Sequence, residues 1–172
     1  NPKAERRLWG FSEETFEITR AAYHRRYAML PYIYTAARQG YDDALPLCRP
    51  MYYEWPELEE AYDYRGQYFF GDQLLVAPVA SPVDPVSRRA TQTVWLPPGQ
   101  WTHWDSGRTY AGPAVITLPA ALDEIPVFVR EGGIIPMMPK MNSTAERPVD
   151  PLILAHRGIA ILLTCCDHQS RR

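Results

Sequence analysis

The chain has 172 residues, of which 46% are hydrophobic and 12% aromatic, and its formal net charge is -2. Such a chain is long and apolar enough to bury one sizeable core, which excludes a disordered tail. The small net charge provides no field that would attract nucleic acid or an anionic membrane, and no apolar run reaches the roughly 18 residues of a membrane-spanning helix. We therefore expect a folded domain without a nucleic-acid or membrane partner.

The chain starts at Asn1 instead of Met, and its first residues lack the apolar segment of a signal peptide. We expect it to begin inside a larger protein. The missing signal therefore does not predict a compartment.

One long helix is predicted near the N-terminus. Ser12 precedes Glu13 and Glu14, and a serine cap followed by carboxylates in the first turn favours a helix start. Because Pro31 lacks an amide hydrogen, we expect a kink or break near Leu30. The helix should continue to about residue 38, with Gly40 as a left-handed stop.

This helix carries an apolar face. Its members recur at steps of seven, four, three and four, and they are Phe16, Tyr23, Tyr27, Leu30 and Tyr34. We expect the face to pack against something large.

After residue 40 the sequence becomes a series of short apolar runs separated by Pro and Gly, which predicts strands joined by turns. The predicted strands are residues 47–53, 73–79, 92–96, 101–104, 114–118 and 127–130, with Ile134 and Ile135 beyond a turn. Their spacing favours an antiparallel β-sandwich. Pro97-Pro98-Gly99 and Asp105-Ser106-Gly107 are predicted turns on either side of residues 101–104.

From about residue 140 the strand pattern ends, and residues 141–148 resemble a linker. Asn142-Ser143-Thr144 matches a glycosylation acceptor, a motif short enough to occur often by chance.

Acidic side chains are the first candidates for chemistry, because a pair of carboxyl groups can act as general acid and as base or nucleophile. Glu54 and Asp72 adjoin apolar strands, where burial would raise a carboxyl pKa. We nevertheless expect both to be structural partners of a backbone amide or of an arginine such as Arg49 or Arg65. The other acidic residues considered occupy predicted loops, turns or solvated faces: Asp42, Asp43, Glu57, Glu59, Glu60 and Asp105.

Neither a metal site nor a cofactor site is predicted. The histidines His24, His103, His156 and His168 have no companion at ligand spacing. Cys48, Cys165 and Cys166 fit neither a disulfide framework nor a zinc site. Serine-hydrolase and nucleotide-binding motifs do not occur.

The tryptophans suggest a carbohydrate-binding function. Trp55, Trp95, Trp101 and Trp104 are the right residue type for an aromatic platform under a sugar ring, although we favour sandwich core for Trp95 and the inward members of 101–104. A free-standing carbohydrate-binding or scaffolding module therefore stays open, as does a small glycosidase using Glu54 or Asp72.

Several stretches together resemble the end of glycoside hydrolase family 31, the α-glucosidases and α-xylosidases. They are RYAMLPYIY at 26–34, LPLCRPM at 45–51, EWP at 54–56, QYFFGDQLLVAPV at 67–79, VWLPPGQW at 94–101 and IPVFVREGGIIP at 125–136. The resemblance runs from about residue 8 to residue 136 in family order and spacing. It implies the last helix of a (β/α)₈ barrel at 1–40, a proximal C-terminal β-sandwich at 41–139, and a linker with the start of a distal β-domain at 140–172.

The resemblance also implies a retaining mechanism with two aspartates on earlier barrel strands, and the Trp-x-Asp-x-Asn-Glu signature is absent from this chain. No catalytic or substrate-binding residue is therefore assigned here. We expect a C-terminal part of an α-glycosidase that is inactive alone, packs on the barrel, and binds carbohydrate substrate only within the full-length parent. From Ala155 onward the sequence departs from the family pattern, and we attribute this to a frameshift or an exon-end error.

Overall fold

The computed structural model describes residues 7–146, 148–156 and 159–163. A short 3-10 turn at Leu8–Gly10 precedes helices α1 (Glu13–Ala28) and α2 (Leu30–Asp42). A second 3-10 turn, Met51–Tyr53, and the one-turn helix α3, Glu60–Asp63, follow the first strand. The strands are β1 (Cys48–Pro50), β2 (Tyr68–Phe70), β3 (Leu74–Val76), β4 (Ala90–His103), β5 (Thr109–Ala120), β6 (Val127–Arg130), β7 (Ile135–Met137), β8 (Leu152–His156) and β9 (Ile159–Leu163).

The start of α1 is confirmed. The Ser12 hydroxyl accepts a hydrogen bond from the Thr15 amide at 3.3 Å, which satisfies one of the free amides of the first turn. Glu13 and Glu14 occupy that turn, and two arginines occupy the last one. Charges of both signs therefore complement the helix dipole.

The predicted break near Leu30 is also confirmed, because α1 ends at Met29 and α2 begins with Leu30 and Pro31. Proline is accepted there since the amides of a first turn have no partner within the helix. The predicted stop at Gly40 is wrong, as α2 continues to Asp42. A Cβ at position 40 would lie 3.1 Å from the carbonyl oxygen of Leu45, so this glycine permits the close return of the chain.

Two antiparallel sheets make the fold mainly β, as predicted. The larger one has the strand order β1-β2-β3-β6-β4-β5, and the smaller one has the order β7-β8-β9. Strand β2 was not predicted as a strand. The smaller sheet joins β7, which precedes residue 139, to β8, which follows it, so strand pairing crosses the predicted domain boundary.

The predicted turn at Pro97-Pro98-Gly99 is wrong, because β4 continues through these residues as a bulged strand. Its register with β5 shifts between Leu96 and Gly99. A bulge tolerates prolines that cannot donate to a ladder. The buried indole of Trp101 donates to the Pro97 carbonyl at 2.8 Å, which holds the bulge in place. The other predicted turn, at 105–107, does close the β4–β5 hairpin.

The main hydrophobic core is built largely by side chains of the larger sheet. Strand β4 pairs with β6 only from Trp101 to His103, so its first half extends beyond β6 together with β5. Strand residues from both halves of this sheet form the core together with Met51, Ala61 and Ala77, which lie outside the strands. The strand residues are Phe69, Leu75, Val94, Trp95, Leu96, Trp101 and Phe128. This is the layered packing of a sandwich.

The helices pack against the sheets through α2. A second cluster joins Tyr32 of α2 to Leu74, Val129, Ile135 and Ala155. The Met138 amide also donates to the Ala28 carbonyl at the end of α1, at 2.8 Å.

The packed helix face differs from the predicted one. Tyr32 and Ala36 are buried, whereas Tyr23 is 50% and Tyr34 is 77% exposed. Helix α1 has no buried residue. Within the described residues, no helix is long and apolar enough to cross a membrane.

Candidate functional site

The candidate site centres on Arg49, a 4% exposed residue of β1. One of its terminal nitrogens lies 3.2 Å from Glu54 Oε1 and 2.6 Å from Asp72 Oδ1. The same nitrogen donates to the Gly71 carbonyl at 3.2 Å. The structure therefore brings together the two carboxylates singled out from the sequence and confirms Arg49 as their partner. Arg65 takes no part, since its Nε donates to the Tyr62 carbonyl instead.

Glu54 also pairs with a second arginine. Its other carboxylate oxygen accepts a hydrogen bond from Arg130 of β6. The Arg130 guanidinium lies over the rings of Trp55, Phe69 and Trp101, with 5.7, 5.3 and 5.6 Å to their centroids. Aromatic faces attract a cation at such distances. Glu54 thus joins a guanidinium at the start of the large sheet to one embedded in its aromatic core.

The electrostatics of Arg49 favour its charged form. Burial by itself would lower the pKa of the guanidinium, but the hydrogen bonds and charges of Asp72 and Glu54 outweigh burial, so the pKa is raised. The charge of Arg49 is thus compensated within the fold.

This geometry is that of a structural ion network. A retaining glycosidase holds its two carboxyl groups about 5–5.5 Å apart with the scissile bond between them. Here the guanidinium of Arg49 contacts an oxygen of Glu54 and an oxygen of Asp72, and it occupies the space that the sugar would need. The two carboxylates therefore bind arginine where a catalytic pair would bind substrate.

Helix α2 fixes the loop that carries Asp72. Gln39 donates to Asp72 Oδ2 at 3.3 Å. The Tyr32 hydroxyl donates to the Phe70 carbonyl at 2.6 Å and accepts from the Gln73 amide at 3.2 Å. Burial, assisted by the charge of Asp72, raises the pKa of Tyr32 to about 12, so this hydroxyl stays protonated at neutral pH.

The other acidic candidates lie at the surface. Asp42 pairs with Arg38 one helical turn away at 2.6 Å, and Asp105 lies 3.6 Å from Arg25. The remaining ones, Asp43, Glu57, Glu59 and Glu60, are exposed, as predicted.

The described histidines and the described cysteine lie at separate places in the fold. His103 Nδ1 lies 2.9 Å from the Ser106 hydroxyl, and His156 Nδ1 lies 2.8 Å from the Gly133 carbonyl oxygen. His24 is half-buried on α1, and Cys48 is an exposed free thiol. His168, Cys165 and Cys166 lie outside the described residues. Across the described part of the chain, no three His, Cys, Asp or Glu residues are grouped as metal ligands would be.

The tryptophans separate into two groups. Trp95 and Trp101 are each 1% exposed, which confirms them as core and removes them from any sugar platform. Trp55 is half-buried and meets Trp95 edge-on at 6.1 Å, and Trp104 is half-buried against the second cluster.

Sequence reasoning missed Arg130 and Gln67. Gln67 is 3% exposed, and its carboxamide hydrogen-bonds both backbone groups of Trp95 at 2.7 and 2.9 Å. The available signal for Gln67 was a glutamine directly before a buried aromatic strand. Nothing in the local sequence distinguishes Arg130 from a surface arginine.

Residues 44–135 match the family model described as the glycosyl hydrolase family 31 C-terminal domain. The chain belongs to glycoside hydrolase family 31. A neutral alpha-glucosidase C of Mus musculus is 36% identical over 164 residues, which cover 91% of this chain and 18% of the mouse protein. An alpha-xylosidase of Emericella nidulans is 32% identical over 152 residues, or 87% of this chain and 20% of its own length.

Solved structures of family 31 agree with the fold. A dextranase of Flavobacterium johnsoniae, complexed with isomaltotriose, superposes with a TM-score of 0.81 at 36% identity, covering 88% of this chain and 18% of the dextranase. A cycloalternan-forming enzyme of Listeria monocytogenes gives a TM-score of 0.80 at 31% identity, with 90% and 15% coverage. The family 31 chain thus spans about a fifth of the length of the curated relatives it matches.

Proposed function

We propose that this chain is the C-terminal supporting part of a retaining α-glycosidase that hydrolyses α-glucosides or α-xylosides. The observation that carries the proposal is the ion network, in which Arg49 occupies the space between Glu54 and Asp72. Carboxylates engaged in this way serve the fold and leave the reaction to acidic residues outside the chain. The match to a C-terminal domain and the glucosidase and xylosidase names of the relatives support the reaction class.

In this proposal the exposed side of the helices packs on the catalytic barrel. Helix α1 has no buried residue, and the exposed aromatic residues on and before the helices are Trp9, Phe11, Tyr23, Tyr34 and Tyr41. Unpaired apolar surface of this kind marks an interaction site.

The proposed domain divisions remain the barrel end at 1–40, the proximal sandwich at 41–139, and the linker with the start of a distal domain at 140–172. The frameshift proposed from Ala155 onward concerns residues that lie largely outside those described.

The proposal is tested by comparing the chain with the longer product of its transcript on p-nitrophenyl α-glucoside and α-xyloside. We expect no turnover by the chain alone and turnover by the longer product. Substituting Glu54→Gln in the longer product should leave the chemical step unchanged if the protein remains folded. Turnover by the isolated chain that disappears in Glu54→Gln or Asp72→Asn would overturn the proposal.

A further inference from the structure

A groove of about 540 Å³ lies beside β1 and β2, outside the ion network of Glu54 and Asp72. We call it the tyrosine groove because four of its lining residues are tyrosines. The lining residues that matter here are Cys48, Tyr52, Tyr62, Tyr64, Arg65 and Tyr68. Its volume falls within the roughly 300–1,000 Å³ typical of small-molecule sites.

One wall of the groove is a pre-formed aromatic surface. The rings of Tyr52 and Tyr62 stack at 5.3 Å between centroids with planes 7° apart. Tyr52 is 41% and Tyr62 is 42% exposed, so ring surface remains open to a ligand. The Tyr62 hydroxyl donates to the Pro56 carbonyl at 2.9 Å and fixes the ring. Little side-chain freedom is therefore left to lose on binding.

The polar groups of the groove include three neutral hydroxyls and the guanidinium of Arg65. The hydroxyls of Tyr52, Tyr64 and Tyr68 form no hydrogen bond with any described residue and are free to donate and accept. Burial raises the pKa of Tyr68, which keeps its hydroxyl protonated. Arg65 is held through its Nε by the Tyr62 carbonyl at 3.1 Å, which leaves its terminal nitrogens as further donors.

The charges of the groove disfavour a cation. None of the described residues that line it carries a carboxylate, so a cation has no counter-charge there. The second lining arginine, Arg49, is already compensated by Glu54 and Asp72, which leaves only Arg65 to attract an anion. Aromatic faces combined with neutral donors and acceptors suit a ring with C–H faces and many hydroxyl groups.

We propose that the tyrosine groove binds a short neutral oligosaccharide, with a sugar ring against Tyr52 and Tyr62 and sugar hydroxyls on Tyr68 and Arg65. This is a binding site without chemistry, and it borders the ion network at Arg49 while neither Glu54 nor Asp72 lines it. The groove itself does not depend on the proposed function, and only the choice of α-linked glucose probes rests on it.

Cys48 provides the readout, because its exposed thiol lines the groove. Iodoacetamide would be added to the intact chain, and alkylation of the Cys48 peptide would be followed by mass spectrometry during titration with maltotriose or isomaltotriose. We expect at least one trisaccharide to slow alkylation along a saturable curve. Sorbitol at the same concentration controls for viscosity and should not slow it.

Matched variants assign the contacts. Tyr68→Phe removes one neutral hydroxyl and should raise the apparent Kd about fivefold, whereas Arg65→Met removes charged donors and should raise it about tenfold or more. Tyr34→Phe, on the exposed side of α2, should leave the Kd unchanged. None of these three variants removes a buried contact, so binding is compared between folded proteins.

The proposal is overturned if neither trisaccharide saturates, or if Tyr68→Phe and Arg65→Met bind as tightly as the unchanged chain. It is also overturned if Cys48 of the longer product is shielded without sugar, since another part of that protein would then fill the groove. Absence of turnover by the chain is compatible with either result, so this test and that of the proposed function fail independently.

Discussion

The side chain of Gln67 takes the place of a neighbouring strand for Trp95. Its carboxamide donates to the Trp95 carbonyl and accepts from the Trp95 amide, at 2.7 and 2.9 Å. Only β5 pairs with β4 at this level, because β6 pairs with β4 only from Trp101 onward. Both backbone groups of Trp95 are buried, and each would otherwise lack a partner. The two hydrogen bonds tie the residue before β2 to the opposite half of the bent sheet.

Replacing Gln67 with methionine should therefore destabilise the fold although the volume is kept. Two buried backbone groups lose their partners, which costs about 2–4 kcal/mol in the free energy of unfolding. Urea unfolding followed by tryptophan fluorescence measures the change. Gln92→Met, in the same sheet but with its carboxamide bonded only to the adjacent Thr93 carbonyl, is the control and should change stability by less than about 0.5 kcal/mol. Equal losses in both variants would contradict the strand-replacing role of Gln67.

Arg49→Met should leave Glu54 and Asp72 without their shared cation. We expect the free energy of unfolding to fall by about 2–3 kcal/mol, less than for a fully buried pair because the Asp72 side chain is 36% exposed. In the double variant that also carries Asp72→Asn, part of this loss should return, since Asp72 then carries no unpaired charge and Glu54 keeps Arg130. Chemical denaturation of the four combinations measures the coupling, and strict additivity would argue against the network.

Gly71→Ala tests the clamp between α2 and the Asp72 loop. Gly71 has φ +62°, and a Cβ there would lie 2.3 Å from the Tyr32 hydroxyl oxygen. We expect a loss of about 2–4 kcal/mol from backbone strain and this clash together. Gly66→Ala, where no atom lies within 4 Å of the added Cβ, is the matched control and should be nearly neutral. Tyr32→Phe combined with Gly71→Ala should cost somewhat less than the sum of the two single changes, because the hydroxyl contact is gone while ring carbon Cζ, 2.7 Å from the added Cβ, still crowds it.

His103 should make stability depend on pH. Burial lowers the pKa of this imidazole below its usual value, although Asp105 and Glu124 oppose the shift. Its contribution is therefore complete above the pKa of the unfolded chain, and it is lost as the pH falls, since the unfolded state binds the proton more readily. Between about pH 7.5 and about pH 5.5, the decrease in stability should be smaller in His103→Asn than in the unchanged chain. Denaturation midpoints at the two pH values measure it, and an unchanged decrease would refute the assignment.

The exposed helix aromatics should cause self-association. Tyr23→Glu combined with Tyr34→Lys places opposite charges on the unpartnered surface and should reduce association without lowering stability, because both rings are at least half exposed. Light scattering after size exclusion, over a range of concentrations, measures the apparent mass. A monomeric unchanged chain at high concentration would count against this surface as a docking face.

Local rules predicted the features that depend on neighbouring residues. Ser12 marked the start of α1, and Pro31 marked the break before α2, because capping and a missing amide act within one turn. Gly40 and the Pro97–Gly99 run were misassigned since the same residue types also permit close approaches and bulges. The carbonyl of Leu45 and the strand β5 decide those cases, and both lie beyond a local window.

The ion network was partly predictable for a similar reason. A carboxylate next to an apolar strand needs a cationic partner such as an arginine, and Arg49 lies close to Glu54 in the chain. Arg130 is distant in sequence and reaches Glu54 only after β6 has joined the sheet. Residue types alone thus predict that a carboxylate next to an apolar strand has an arginine partner. Which arginine binds it is determined by the tertiary structure.

The hydrogen bond from the Met138 amide to the Ala28 carbonyl connects the residue after β7 to the end of α1, which lies 110 positions earlier in the chain. The helices are made first on the ribosome, but the partner that anchors the end of α1 is made only after both β4 and β5 have emerged. Contacts between such distant residues form late, because the entropy cost of closing a long loop must be met before the contact can stabilise the fold. During synthesis the end of α1 is therefore anchored later than α2, whose Tyr32 binds Phe70 and Gln73, and the aromatic side chains of α1 stay available to whatever part of the same nascent protein has already folded.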